Sequence, residues 1–152
     1  MTADSSEPTD DDIVAGLAAA PAEAWERLIE LANHLTDADM EVEWSTGQGT
    51  PDEPLHFPYP NYSPAIGAIH HQLYEVDAVT SFNWPAWFQE NPQYRDPAAI
   101  AAAGPAFAAR VATVVIRRER FSEGSLQKAM ETGVLAAILE RLTRWYTVER
   151  EQ

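Results

Sequence analysis

GPAFAARVATVVIRRERFSEGSLQKAMETGVLAAILERLTRWY, residues Gly104 to Tyr146, holds the longest apolar periodicity in the chain and most of its basic residues. It reads as three helices folded back on one another. Gly104-Pro105 is a helix start, because proline at the first helical position gives up no needed N–H and already has a helical φ. From there Phe107, Val111, Val114 and Val115 form one stripe of a 3.6-residue helix. Ser122 is placed to cap a short second helix carrying Leu126, Ala129 and Met130, and Gly133 to end it in the left-handed conformation. The third helix puts Leu135, Ile138, Leu139, Leu142, Trp145 and Tyr146 on one side, with Glu140 and Arg144 paired four apart on the other.

Outward from this stretch the pattern stays mostly helical. Residues 1–9 are polar and are expected to be a disordered acidic tail, with a single globular domain over residues 10–148. Thr9 or Asp10 can cap a first short helix with Asp11 and Asp12 in its first turn and Ile13, Val14 and Leu17 inward. Pro21 opens a second, whose Trp25, Leu28, Ile29, Ala32 and Leu35 face away from Glu23, Glu26 and Glu30. The period then becomes two. Met40, Val42 and Trp44 alternate with acids, and beyond a Gly/Pro/Thr loop Leu55, Phe57 and Tyr59 alternate again. This predicts a small hairpin, or else an extended arm across the helices. Ser63-Pro64, Asn83-Trp84-Pro85 and Asp96-Pro97 are three further helix starts, and Asn91-Pro92 is a stop. The expected fold class is therefore α+β, predominantly helical: a compact helical core with a small hairpin or extended arm.

The run Val114-Val115-Ile116-Arg117-Arg118-Glu119-Arg120-Phe121-Ser122-Glu123-Gly124 resembles an "apolar–R–x–x–R–F–x–x–G" signature. Glu131-Thr132-Gly133-Val134-Leu135, Ile138 to Leu142, Tyr59 to Ser63 and Phe82 to Trp87 fit the same pattern. Together they resemble the bacterial family called domain of unknown function 6508, over roughly residues 20 to 146. An aspartate often stands in that pattern where this chain has Asn83, so no acid chemistry is placed there. The resemblance implies a fold and carries no catalytic residues.

Composition narrows the class. The chain has no cysteine, so neither a disulfide nor thiolate chemistry is available, which suits a cytoplasmic protein. MTADSSEPTDDD has no basic or apolar segment of a signal peptide, and no apolar run approaches the ~20 residues of a membrane helix. Net charge is −14, with residues 1–109 holding 18 of the 24 acids against only Arg27 and Arg95. Such a chain repels phosphate backbones, so nucleic acid is not the expected partner and neither is a membrane. The expected partner is another protein, with a basic one suiting the charge. An acidic surface also serves solubility alone.

No catalytic constellation emerges. His70 and His71 are adjacent, so they point about 100° apart on a helix and cannot share a metal from one face; His70 is expected partly buried on a backbone carbonyl. Gly47-Gln48-Gly49 lacks the rest of a phosphate loop. No metal and no cofactor are expected. Ser122 to Tyr146 has the layout of a helix–turn–helix, but its outer face offers only Arg141 and Arg144 against Glu140. Two groups remain. Trp44, Tyr59, Tyr62, Phe82, Trp84 and Trp87 are an aromatic set, and most such residues are core. Arg117, Arg118 and Arg120 end the central helix, where cations suit the dipole, and Arg117 and Arg120 share a face. Trp84, Trp87, Tyr62, Arg117 and Arg120 are thus the candidate surface for a ligand or partner. Arg120 is also expected to be half buried on a carboxylate. The first functional reading is a non-enzymatic protein-interaction module, binding another protein through its acidic face or its aromatic segment, with neutralisation of a basic partner as one role within that class. The alternative is a small enzyme or ligand-binding protein using the aromatic segment and an arginine as anion anchor.

Overall fold

The computed structural model describes residues 7–45, 59–119 and 124–150. Eight α-helices are present among them, with one two-stranded sheet, so the fold is predominantly helical α+β. The helices are α1 (Asp10–Ala19), α2 (Ala22–Asn33), α3 (Pro64–Glu75), α4 (Trp84–Glu90), α5 (Pro97–Ala102), α6 (Pro105–Arg118), α7 (Ser125–Glu131) and α8 (Val134–Arg144). Strands β1 (Glu43–Ser45) and β2 (Tyr59–Asn61) pair antiparallel, with Trp44 opposite Pro60.

Local chemistry sets most boundaries. Thr9 and Asp12 form a reciprocal capping box at α1. Ser63, Asn83 and Asp96 each accept a backbone N–H at the start of α3, α4 and α5, and each is followed within two residues by proline. Gly133, at φ +86°, turns α7 into α8. Polar residues 1–6 of the expected tail lie outside the described residues. From Glu7 onward the chain lies against the body: the Glu7 carboxylate accepts the Asn83 N–H at 3.1 Å, and Arg110 pairs with Asp10 and donates to the Pro8 carbonyl.

Two starts differ from expectation. Ser122 lies outside the described residues, and α7 begins only at Ser125, after Gly124 at φ +103°. Its free N–H groups are satisfied by Glu119, whose carboxylate accepts Leu126 N–H at 2.9 Å and Gly124 N–H at 3.2 Å. The hairpin is also shorter than the alternation predicts. Met40 belongs to a 3-10 turn over Ala38–Met40, and Leu55 and Phe57 lie outside the described residues. Trp44 does not turn inward; it is 44% exposed. A two-stranded ladder has no second layer at its tip, so Trp44 lies across the start of α7 instead.

The core is built on α6 and α8. Val111, Val114 and Val115 of α6 and Leu135, Ile138, Leu139 and Leu142 of α8 are buried. α5 and α2 cover α8, α1 and α4 cover α6, and α7 closes the angle between the central pair. Thr113, fully buried in the middle of α6, donates to the Ala109 carbonyl at 2.9 Å and accepts from Thr80 N–H at 3.0 Å. That bond holds the connector between α3 and α4, which forms no strand. Trp25 is fully buried, stacked on Tyr146 at 4.9 Å and tilted against Trp145 at 5.7 Å.

The end of α8 widens into a π turn over Trp145–Glu149, with Arg150 N–H bonded five residues back to the Trp145 carbonyl. This extra residue sets an ion pair. In an α-helix a residue eight positions on overshoots its partner's face by about 80°. One wide turn absorbs the excess and brings Glu149 under Arg141. Arg141, only 6% exposed, grips both carboxylate oxygens at 2.8 and 3.1 Å and donates Nε–H to the Ala103 carbonyl at 2.6 Å. Arg144 lies 3.6 Å from Glu140, as the four-residue spacing predicts, and reaches the Ala101 carbonyl at 2.7 Å.

Candidate functional site

Among the described residues a cleft of about 650 Å³ lies between the last turn of α6, the outer face of α7 and the turn that precedes α5. Its floor is apolar, made by Val115, Ala129 and Val134. Its rim carries three cations, Arg95, Arg118 and Lys128, and one carboxylate, Glu131, with Trp44 reaching over from β1. This size is in the ordinary range for small-molecule sites.

Each rim residue is placed by a local cause. Asn91-Pro92 ends α4 and folds Pro92–Arg95 into a 3-10 turn, which buries Tyr94 and leaves Arg95 at the surface. Tyr94 packs edge-on against Phe88 at 5.7 Å. Arg118 stands in the last turn of α6, with its guanidinium 4.8 Å from the Phe88 ring centre. Its Nη1 donates to the Tyr94 hydroxyl at 3.0 Å, and Arg95 Nε donates to the same oxygen at 3.3 Å. With both lone pairs taken, that hydroxyl is left to act as a donor. On the opposite rim, Trp44 donates its indole N–H to Gln127 at 2.8 Å, and Gln127 donates to Glu131 at 3.0 Å. The indole therefore has no free polar atom to offer the cleft.

Charge is the informative feature. Among the described residues, Arg27, Arg110, Arg141 and Arg144 have carboxylate partners. Arg95, Arg117, Arg118, Lys128 and Arg150 have none, although the chain has 24 acids for 10 bases, and three of these five line the cleft. A chain so rich in carboxylates leaves three cations unneutralised around one cleft. No cluster of three or more metal-ligating side chains occurs among the described residues.

The residues singled out from sequence lie elsewhere. Trp84 is half-buried and stacked on Phe88 at 6.1 Å; Trp87 is half-buried between Phe82 at 5.9 Å and Phe107 at 5.4 Å. These rings form one packed row that ties α4 to α6. Tyr62 donates to Glu119 at 2.9 Å and so braces the carboxylate that starts α7. Arg117 points toward α3, 5.9 Å from the Tyr74 ring centre. None of these four lines the cleft, and Arg120 lies outside the described residues. The described arginine that clamps a carboxylate from a buried position is Arg141. His70 is exposed rather than partly buried, because its helix face runs along the outer edge of α3 beside Tyr74, 5.7 Å away. Tyr94, Arg95, Arg118, Gln127 and Lys128 are the residues that sequence reasoning passed over. One signal was present for Arg118: it stands three positions after Val115 in α6, so a groove floored by one is rimmed by the other.

Residues 20–148 match the sequence model of a family of unknown function (DUF6508). The chain belongs to that family. Comparison with curated proteins and with solved structures finds no match. Every cleft residue of this DUF6508 protein, from Trp44 to Val134, falls inside the matched region. The function of the family is unknown, so the chemistry of the cleft is that of its donors. Two guanidinium groups, an ammonium, a phenolic O–H and an indole face can hold and orient an anion with a flat or apolar part. No helix among the described residues is long and apolar enough to cross a membrane.

Proposed function

We propose that this chain is a ligand-binding protein whose cleft between α6, α7 and the Pro92–Arg95 turn takes a small anion. The observation that carries the reading is the convergence of Arg95, Arg118 and Lys128, without carboxylate partners among the described residues, on one apolar-floored cleft. A cationic cleft with low-dielectric walls concentrates anions even on a protein of opposite overall charge. A cytoplasmic setting, which the cysteine-free sequence suits, is part of this reading. Nucleic acid is not part of it, since Arg141 and Arg144 are engaged with Glu149, Glu140 and backbone carbonyls and leave α8 no basic face.

A melt in rising inorganic phosphate at constant ionic strength tests the reading. Binding to the folded state raises Tm, by about 2.7 kcal/mol of stabilisation at a hundredfold excess over Kd. Lys128→Gln, at an exposed position without a structural partner, should weaken that response. An unchanged Tm in phosphate, or an equal response in the variant, refutes the cleft as an anion site.

A second reading rests on acids that do not line the cleft. Asp11, Asp12, Glu23 and Glu26 are exposed on α1 and α2 and suit a protein-interaction module that neutralises a basic partner. Acids at a surface also serve solubility, so they carry less than unpaired cations do. Charge reversal of Glu23 and Glu26 to lysine should abolish capture of such a partner and leave phosphate binding unchanged. Capture that survives the reversal refutes this second reading.

A further inference from the structure

Building on the anion-cleft reading, we infer that the ligand is a phosphate monoester carried on a planar ring, of which a nucleoside monophosphate is the simplest biological form. The charge argues for phosphate over carboxylate. Three cations and the donor hydroxyl of Tyr94 line the cleft against one carboxylate, Glu131, which accepts from Gln127; the net of two positive charges matches a phosphate monoester, which brings about −1.5 to −2 charge and three acceptor oxygens at neutral pH. Arginine's planar fork suits phosphate oxygens bidentately, and both guanidinium groups keep N–H donors beyond the one each gives to Tyr94.

The ring is argued from Trp44. A large aromatic 44% exposed at the rim of a cleft, with its only polar atom occupied by Gln127, offers nothing but a flat apolar face. The Gln127–Glu131 bond fixes Gln127, and Gln127 fixes the indole, so that face is held in advance of binding. Val115, Ala129 and Val134 below it carry no donor or acceptor in their side chains, so the part of a ligand resting there must be apolar or aromatic. Arg95 and Arg118 around Tyr94, and an oriented indole held by Gln127 with Lys128 next to it on α7, describe a ligand with an anionic head and a stacked ring.

Titration calorimetry on the full chain, with four probes, tests this. The probes are adenosine 5′-monophosphate, adenosine, inorganic phosphate and benzoate. The monophosphate should bind at least tenfold tighter than inorganic phosphate, because stacking one base on an aromatic side chain contributes about that factor or more. Adenosine and benzoate should bind weakly. Trp44→Leu should remove the tenfold advantage of the monophosphate over inorganic phosphate, while Lys128→Gln should weaken both phosphate probes together. If the monophosphate binds no tighter than phosphate, the ring assignment fails. If benzoate binds as tightly as phosphate, the phosphate assignment fails, with the anion cleft still standing. If no probe binds in a manner that Lys128→Gln weakens, the anion-cleft reading itself falls.

Discussion

Replacing Trp25 by phenylalanine should destabilise the fold by about 2–4 kcal/mol, through two separable losses. The first is a hydrogen bond. Leu17 lies near the end of α1, and the N–H that would normally meet its carbonyl belongs to residue 21, which is proline. Trp25 Nε1–H supplies the missing donor at 3.0 Å, in a buried setting. Leaving that carbonyl unsatisfied costs about 1–3 kcal/mol. The second loss is volume. Trp25 is 0% exposed and stacked on Tyr146 at an interplanar angle of 12°, so a smaller ring leaves a void. Complete truncation of a buried aromatic costs about 3–5 kcal/mol, and removing part of one ring system costs about 1 kcal/mol on the same scale. For a chain of this size each kcal/mol lowers Tm by about 2–4 °C, so a drop of about 5–15 °C is expected. Urea denaturation gives the free energy directly, and hydrogen exchange should show the amides of α1 losing protection ahead of those in α8. A loss under about 1 kcal/mol, with α1 protected as before, would refute the role assigned to this indole.

Four further outcomes are expected. Leu139→Ala, 3% exposed in the middle of α8, should lose about 2–5 kcal/mol in urea denaturation, and under about 1 kcal/mol would put the wrong face of the helix in the core. Gly124→Ala should cost about 1–2 kcal/mol, since φ is +103° and its new Cβ would meet the Trp44 ring at 3.4 Å; equal stability refutes the strain. Glu149 is held below the ordinary carboxylate range, chiefly by the hydrogen bond from Arg141 with both arginine charges adding and desolvation opposing. A lowered folded pKa means its stabilisation is present above the unfolded value and fades as pH falls through the folded one, so the gap between wild type and Glu149→Gln should close in acid. Arg141→Lys should destabilise despite the retained charge, because one ammonium cannot serve both carboxylate oxygens and the Ala103 carbonyl; a neutral result in a thermal melt refutes the clamp.

The fold was legible in sequence wherever the chemistry was local. Caps at Ser63, Asn83 and Asp96 announce themselves because the accepting side chain and the N–H it meets are two or three residues apart. The stripes of α2, α6 and α8 were legible because each spans enough turns for a 3.6-residue period to show. The start of α7 was not, since its carboxylate comes from Glu119, five to seven residues before the N–H groups it meets. Nor was the orientation of Trp44, because a period of two shows alternation without showing which side is covered. The cleft was the least legible part. Its donors come from positions 95, 118 and 128, and only the packing of α6, α7 and the Pro92–Arg95 turn brings them to one rim. Judged by neighbours in sequence, Arg117 and Arg118 look interchangeable; a rotation of about 100° sends one over Tyr74 and the other over Phe88.

The π turn at Trp145–Glu149 bears on how this chain can change in length. A wide turn is a helix carrying one residue more than its hydrogen bonding requires. Removing one residue there, Thr147 or Val148, would let the segment close as ordinary helix and would place the carboxylate seven positions after Arg141, back on the same face. The pair is thus buffered against a single-codon deletion. A gain of one residue meets no such cushion, since a second wide turn would be needed in a segment of five. Drift in length at this end of the molecule should therefore run toward shortening.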